Sequence, residues 1–267
     1  MTPASESISG SAEGPGERRL LVLKLGGSVV TNKDEPETVA RAGLREAAEA
    51  IGITAGLDLV VVHGGGSFGH PAAEAAGASL ESGITDTHEI REIHGAMGRL
   101  NEAVLDALHR EGVPAVPVRP FSAGYRDRTG EIVLPSEQIA AMLGEGFVPV
   151  LHGDVITTAG AGATIVSGDE LVVSLARTLE AEAVGLCTTV PGVLDVDENV
   201  IPEIDRFEAV ASVLDGSDAT DVTGGMAGKV RALLELEATS QIFDLSGLPA
   251  FLAGGTPGTR IDGRTGE

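Results

Sequence analysis

The sequence predicts an α/β fold with a mainly parallel sheet covered by helices on both faces. Short β-branched runs alternate with amphipathic stretches of helical period, and the runs are apolar almost without interruption, as strands buried on both sides are. Size agrees, since 267 residues with 42% apolar content can bury a full core.

Residues 1–17 are rich in Ser, Gly and Glu without apolar period and are expected to be a disordered acidic tail. The folded part begins at Arg18 with "RRLLVLKL" (18–25), a buried strand by length and composition. An Ala/Glu/Arg-rich helix follows over 36–51, then a second strand, "DLVVVH" (58–63). Over 86–110 the residues Ile90, Ile93, Met97, Leu100, Val104 and Leu108 recur at three and four, the apolar face of a long helix. Strands "VPAVPV" (113–118) and "FVPVLH" (147–152) flank a segment, 119–135, whose "GYRDRTG" reads as a hairpin or lid. "SGDE" (167–170) is a capping box, Ser167 with Glu170 three later, opening a helix over 168–180. A strand "AVGLCTT" (183–189), a helix over 226–238 and a strand "AFLAG" (250–254) complete the alternation.

Composition removes several function classes. Forty acidic against 18 basic residues give a net charge of −22, a field that repels nucleic acid and anionic membrane. No run of about 18 apolar residues is present and the start lacks the order of a signal peptide, so a cytoplasmic location is expected. The single Cys187 leaves no internal disulfide, and no Cys/His spacing suggests a metal centre. Among the basic residues 15 are Arg and three are Lys. That skew suits a cytoplasm of high salt, a reading that an unfolding midpoint unmoved between low and molar KCl would overturn.

The scarcity makes Lys24, Lys33 and Lys229 informative, because each lies in or beside a glycine-rich turn. "KLGGS" (24–28) ends the first strand, "HGGGSFGH" (63–70) follows the second, and "TGGMAGK" (223–229) puts Lys229 in the first turn of the last long helix. Gly64, Gly66 and Gly69 match the dinucleotide-binding G-x-G-x-x-G, but the region about 20 residues on is continuous helix, with no strand to end in the required acidic residue. A P-loop also fails, since its pattern needs Gly at 223 and Ser or Thr at 230, where the chain has Thr223 and Val230. What survives is bare backbone that admits phosphate oxygens to N–H groups, with Ser67 placed to cap the next helix. Asp169, inside the capping box, could orient a lysine. Three glycine turns at strand ends with three lysines describe a phosphotransferase site holding two anionic groups in line.

Taken in order, "KLGGS", "VHGGGSFGH", "HGD", "SGDE", "VPGV" and "TGGMAGK" resemble the amino acid kinase superfamily across residues 20–261 and, within it, the branch that phosphorylates isopentenyl phosphate. The resemblance implies an αβα sandwich, an acceptor lobe over about 18–150 and an ATP lobe over about 151–267. It implies ATP with Mg2+ carried on the nucleotide phosphates, and a small prenyl phosphate as the other substrate. By position it puts Lys24, Gly26, Gly27, Ser28, Gly66, Gly225 and Lys229 on the ATP side, and Lys33 on the transferring group. Gly65, His70 and Gly153 fall on the acceptor phosphate. The family often carries Asp where this chain has Thr189, so the nucleotide contact at that turn departs from the pattern.

His70 bears on the acceptor. A carboxylate needs no imidazole beside the second glycine loop, whereas a phosphate gains a donor that can be charged near neutral pH. The same histidine could instead serve a helix start. His63 and His152 end strands and read as structural, and His88, His94 and His109 as solvated or core-edge. Ile90, Ile93 and Met97 are candidates to line a prenyl tunnel, or plain core. Kinases of other small acceptors, and an anion-binding protein without turnover, stay open on the same fold. A symmetric dimer is the commonest assembly.

Overall fold

A computed structural model describes residues 19–54, 56–214 and 225–265. The tail expected over 1–17 lies outside them, as do Thr223 and Gly224. The chain runs through β1 (Leu20–Leu25), α1 (Gly27–Val30), α2 (Arg41–Gly52), β2 (Asp58–His63), α3 (Gly66–Ala76), α4 (Thr87–Arg110), β3 (Ala115–Pro117), α5 (Pro120–Ala123), β4 (Tyr125–Arg126), β5 (Ile132–Val133), α6 (Ser136–Gly144) and β6 (Val148–His152). It continues through β7 (Asp154–Thr158), β8 (Gly162–Val166), α7 (Gly168–Thr178), β9 (Ala183–Thr188), β10 (Glu203–Ile204), α8 (Ala211–Leu214), α9 (Gly225–Leu234), β11 (Thr239–Asp244), α10 (Leu248–Leu252) and β12 (Thr259–Ile261).

The main sheet has the order β10-β12-β11-β9-β1-β2-β6-β3. From β11 to β3 every pairing is parallel, and β12 runs antiparallel to β11. The chain first winds outward from β1 to β2 and later returns to β9 on the other side of β1. The strand order therefore reverses at β1, where the ends of parallel strands form a ligand crevice.

Strand parity decides what each face receives. Leu21, Leu23 and Leu25 of β1 pack in one core with Leu44 of α2, Leu100 and Val104 of α4 and Phe251 of α10. Val22 packs in the other with Leu171 and Val172 of α7 and Val230 of α9. Lys24 has the parity of Val22 and so leaves the strand toward α7. His63 and His152 have the parity of Val61 and Val150 and leave toward α4.

A second sheet, β5-β4-β7-β8, stands apart. The hairpin expected in 119–135 is its β4–β5 pair. The β7–β8 hairpin was not legible beforehand. Two further expectations are corrected. "AFLAG" is not a strand: Ala250, Phe251 and Leu252 end α10, which has Pro249 in its first turn, and Ala253 and Gly254 follow it as a turn; a short apolar run has no period that separates helix from strand, and proline there favours the helix. The strand is instead Thr239–Asp244, which pairs with β9, and the helix expected over 226–238 ends at Leu234.

Candidate active site

The geometry begins at Lys24, which is only 7% exposed. Its Nζ lies 2.7 Å from Asp169 Oδ1. Asp169 is held there by the helix start: Ser167 Oγ accepts from the Glu170 N–H, and the Glu170 carboxylate accepts from the Ser167 N–H. Lys229 Nζ lies 3.8 Å from Asp169 Oδ2 and donates to the Gly225 carbonyl at 3.2 Å. One carboxylate thus faces two lysines. The expectation for Lys229 needs one correction, because it sits a turn inside α9 and its side chain reaches back to the start.

The glycine turns meet backbone to backbone. A Cβ on Gly27 would come within 2.6 Å of Gly66 N, and one on Gly64 within 2.7 Å of Gly27 N. Real side chains do not survive such approaches, so the sequence keeps both positions bare. Strand ends tie the turns down: Gly26 N donates to the Cys187 carbonyl at 2.8 Å, Gly64 N to that of Leu25 at 3.0 Å and Gly153 N to that of His63 at 3.1 Å. A Cβ on Gly168 would touch Lys24 Cε at 3.1 Å, and one on Gly153 would lie 3.4 Å from Gly168 N. The start of α7 therefore abuts Lys24 and the Gly153 turn.

Ser67 does not cap α3, which starts from Gly65 without a side-chain cap. It serves the Lys33 loop instead. Pro71 lies inside α3 and has no N–H, which leaves the Ser67 carbonyl without its helical partner. The Glu37 N–H takes that carbonyl at 3.1 Å, while Thr38 N donates to Ser67 Oγ at 3.4 Å. Glu37 itself has φ +48, unusual for a residue with a Cβ, and its carboxylate receives Arg99 Nε at 3.0 Å and Nη2 at 2.6 Å. The exposed Lys33 thus rides on a loop fastened to α3 and α4. It lines an open cleft of about 620 Å³ with Ser28 and Thr189.

His70 is exposed on α3, next to Pro71. Met97 is buried in α4, and its sulfur would crowd a Cβ on Gly65 at 3.2 Å or on Gly69 at 2.8 Å, so it packs directly beneath those glycines. Ile93 is buried and Ile90 half-buried in a small apolar cluster with Ile84, Val155 and Ala163.

One polar pair escaped the sequence reading. His94, read as solvated or core-edge, puts Nδ1 2.7 Å from Asp154 Oδ2, whose carboxylate is fully buried. The hydrogen bond to Asp154 raises the imidazole above the ordinary histidine range, while burial pushes the carboxyl up and the His94 bond opposes that. Asp154 stands in the quoted "HGD", but its partner is 60 residues away on a face taken for core edge. Among the described residues no group of three or more His, Cys, Asp or Glu is placed to hold a metal. None of the helices there is long and apolar enough to cross a membrane.

Comparison with known proteins gives the family. Residues 19–242 match the amino acid kinase family. Isopentenyl phosphate kinase of Haloferax volcanii is 62% identical over 91% of this chain and 99% of its own length. The kinase of the same name from Methanothermobacter thermautotrophicus is 36% identical over 92% of this chain and 100% of its own. An X-ray structure of isopentenyl phosphate kinase superposes with a TM-score of 0.76 at 31% identity, covering 91% of this chain and all of that one.

Proposed function

The chain belongs to the amino acid kinase family, and we propose that it transfers the γ-phosphoryl group of ATP to the phosphate of isopentenyl phosphate. An oxygen of the acceptor phosphate bonds to the γ-phosphorus, the bond from that phosphorus to the β–γ bridging oxygen breaks, and the products are isopentenyl diphosphate and ADP. The observation that carries this reading is the likeness to the Haloferax volcanii kinase over nearly its whole length.

The residues fit two phosphate groups. Lys24 and Lys229, oriented by Asp169, would hold the ATP phosphates together with the backbone of Gly26, Gly27, Ser28, Gly66 and Gly225. Lys33 would meet the transferring group as its charge spreads. Gly65 and His70 would hold the acceptor phosphate, with Gly153, whose N–H is taken by the His63 carbonyl, as bare backbone beside it, and Thr189 would meet the nucleotide at the cleft it shares with Lys33. Mg2+ would arrive on the nucleotide phosphates, where it neutralises charge between the β and γ groups. The apolar cluster around Ile93, with Ile90 at its edge and Met97 one turn further along α4, would take the prenyl chain.

His70 supplies the test. Its removal costs one charge-assisted hydrogen bond, about 1.5 to 3 kcal/mol, plus alignment. His70→Ala should therefore lower kcat/KM for isopentenyl phosphate by about ten- to a thousandfold while sparing the KM for ATP. A wild-type kcat/KM in that variant would remove His70 from the acceptor site.

A further inference from the structure

Two buried histidines immediately precede the Gly64 and Gly153 turns, and the proposed chemistry uses neither. His63 ends β2 and His152 ends β6, and the two are partners in the parallel register of those strands. Both are fully buried, with ring centroids 5.4 Å apart. Each makes the same contact: His63 Nδ1 lies 3.1 Å from the Gly64 carbonyl, and His152 Nδ1 lies 3.0 Å from the Gly153 carbonyl. The turns are also tied to each other, because Gly153 N donates to the carbonyl of His63.

Burial lowers the pKa of both rings, so each is neutral and carries one proton. With a carbonyl oxygen at Nδ1, that nitrogen must be the donor. Nε2 of His63 is then an acceptor, yet it lies 3.1 Å from Asn101 Oδ1, another acceptor, while Asn101 Nδ2 is buried without a partner. Turning that amide by half a revolution gives the ring a donor.

A glycine turn has the loosest backbone in a protein, and a phosphate site needs its N–H groups fixed. In a trans peptide the carbonyl and the following N–H point in opposite directions. Holding the Gly64 carbonyl on the α4 side therefore turns the Gly65 N–H away from it. Gly153 is fixed at both ends, its N–H by the His63 carbonyl and its own carbonyl by the His152 ring.

We propose that His63 and His152 are a matched pair of positioning residues that lock the Gly64 and Gly153 peptides and so set the geometry of the acceptor-phosphate cradle. This rests on the reading of Gly65 as a donor to the acceptor phosphate and of Gly153, whose N–H and carbonyl are both engaged, as bare backbone against which that phosphate packs.

Asparagine carries its Nδ2 at the branch position of histidine Nδ1, whereas leucine fills the space without a donor. His152→Leu should raise the KM for isopentenyl phosphate by about tenfold or more, with the KM for ATP changed less than about twofold. His152→Asn should recover most of that loss, even where its thermal midpoint falls. Equal losses in the two variants, or losses shared equally by both substrates, would overturn the proposal. Nitrogen-15 NMR of the unmodified protein gives a check that no folding defect can blur: both rings should be in the Nδ1–H form, and an Nε2–H form in either sinks the idea. Failure of the wild type to turn over isopentenyl phosphate is a separate outcome, which would sink the substrate reading instead.

Discussion

Lys24, Lys33 and Lys229 stand in different electrostatic settings. Lys24 is buried against Asp169, so replacing either breaks a buried ion pair, a loss of folding as well as of binding. Lys33 is exposed, and its removal strands nothing. It is therefore the cleaner probe of the transition state. Lys33→Ala should lower kcat by about a hundredfold or more with little change in the KM for ATP, as loss of a preorganised donor does. Steady-state kinetics decide it, and a change confined to KM would move Lys33 to ground-state binding. These lysines were legible because the chain keeps so few. The ion pair that Asp169 makes with Lys24 was half legible, since the capping box fixed its place and strand parity fixed the side of Lys24. The His94–Asp154 pair was not, because nothing local marks a contact across 60 residues.

The ends of β2 and β6 add a pH dependence to the fold. Burial, with a lesser contribution from the neighbouring His63, pushes His152 down to about 3, and burial also lowers His63. The unfolded chain thus binds protons below about pH 6.5 that the folded one refuses, so stability falls as pH drops from there toward 3. One such histidine costs about 1.6 kcal/mol between pH 6.5 and 5. His94, Asp154 and Arg119 act on the same pair but are present in wild type and variant alike. Chemical unfolding in molar KCl should therefore show a shallower acid loss in His152→Asn than in wild type. Identical pH slopes would mean that His152 is protonated in the folded protein. Elements of clear period were legible in advance, α4 and the first two strands above all. The β7–β8 hairpin and α10 were not, because Gly-rich and short apolar stretches take their state from the sheet or helix they join. Pro71 is a related case, since its missing N–H matters only through the Glu37 loop that fills the vacancy.

A protein of net charge −22 that binds polyanions must overcome its own field at one place. The fold does so by gathering strand ends, the starts of α3 and α7, and the Lys24–Asp169–Lys229 cluster at the reversal of strand order. On the site proposed above, two phosphates would lie in line in that crevice. The most direct measurement is phosphorus NMR of the wild-type protein with ATP and, in turn, isopentenyl phosphate, dimethylallyl phosphate, fosfomycin, carbamate and acetylglutamate. With isopentenyl phosphate the monophosphate signal should give way to the pair of coupled signals of a diphosphate, with ADP formed in equal amount. ATP consumed only with carbamate or acetylglutamate, or with no acceptor in the panel, would contradict a phosphate-accepting site.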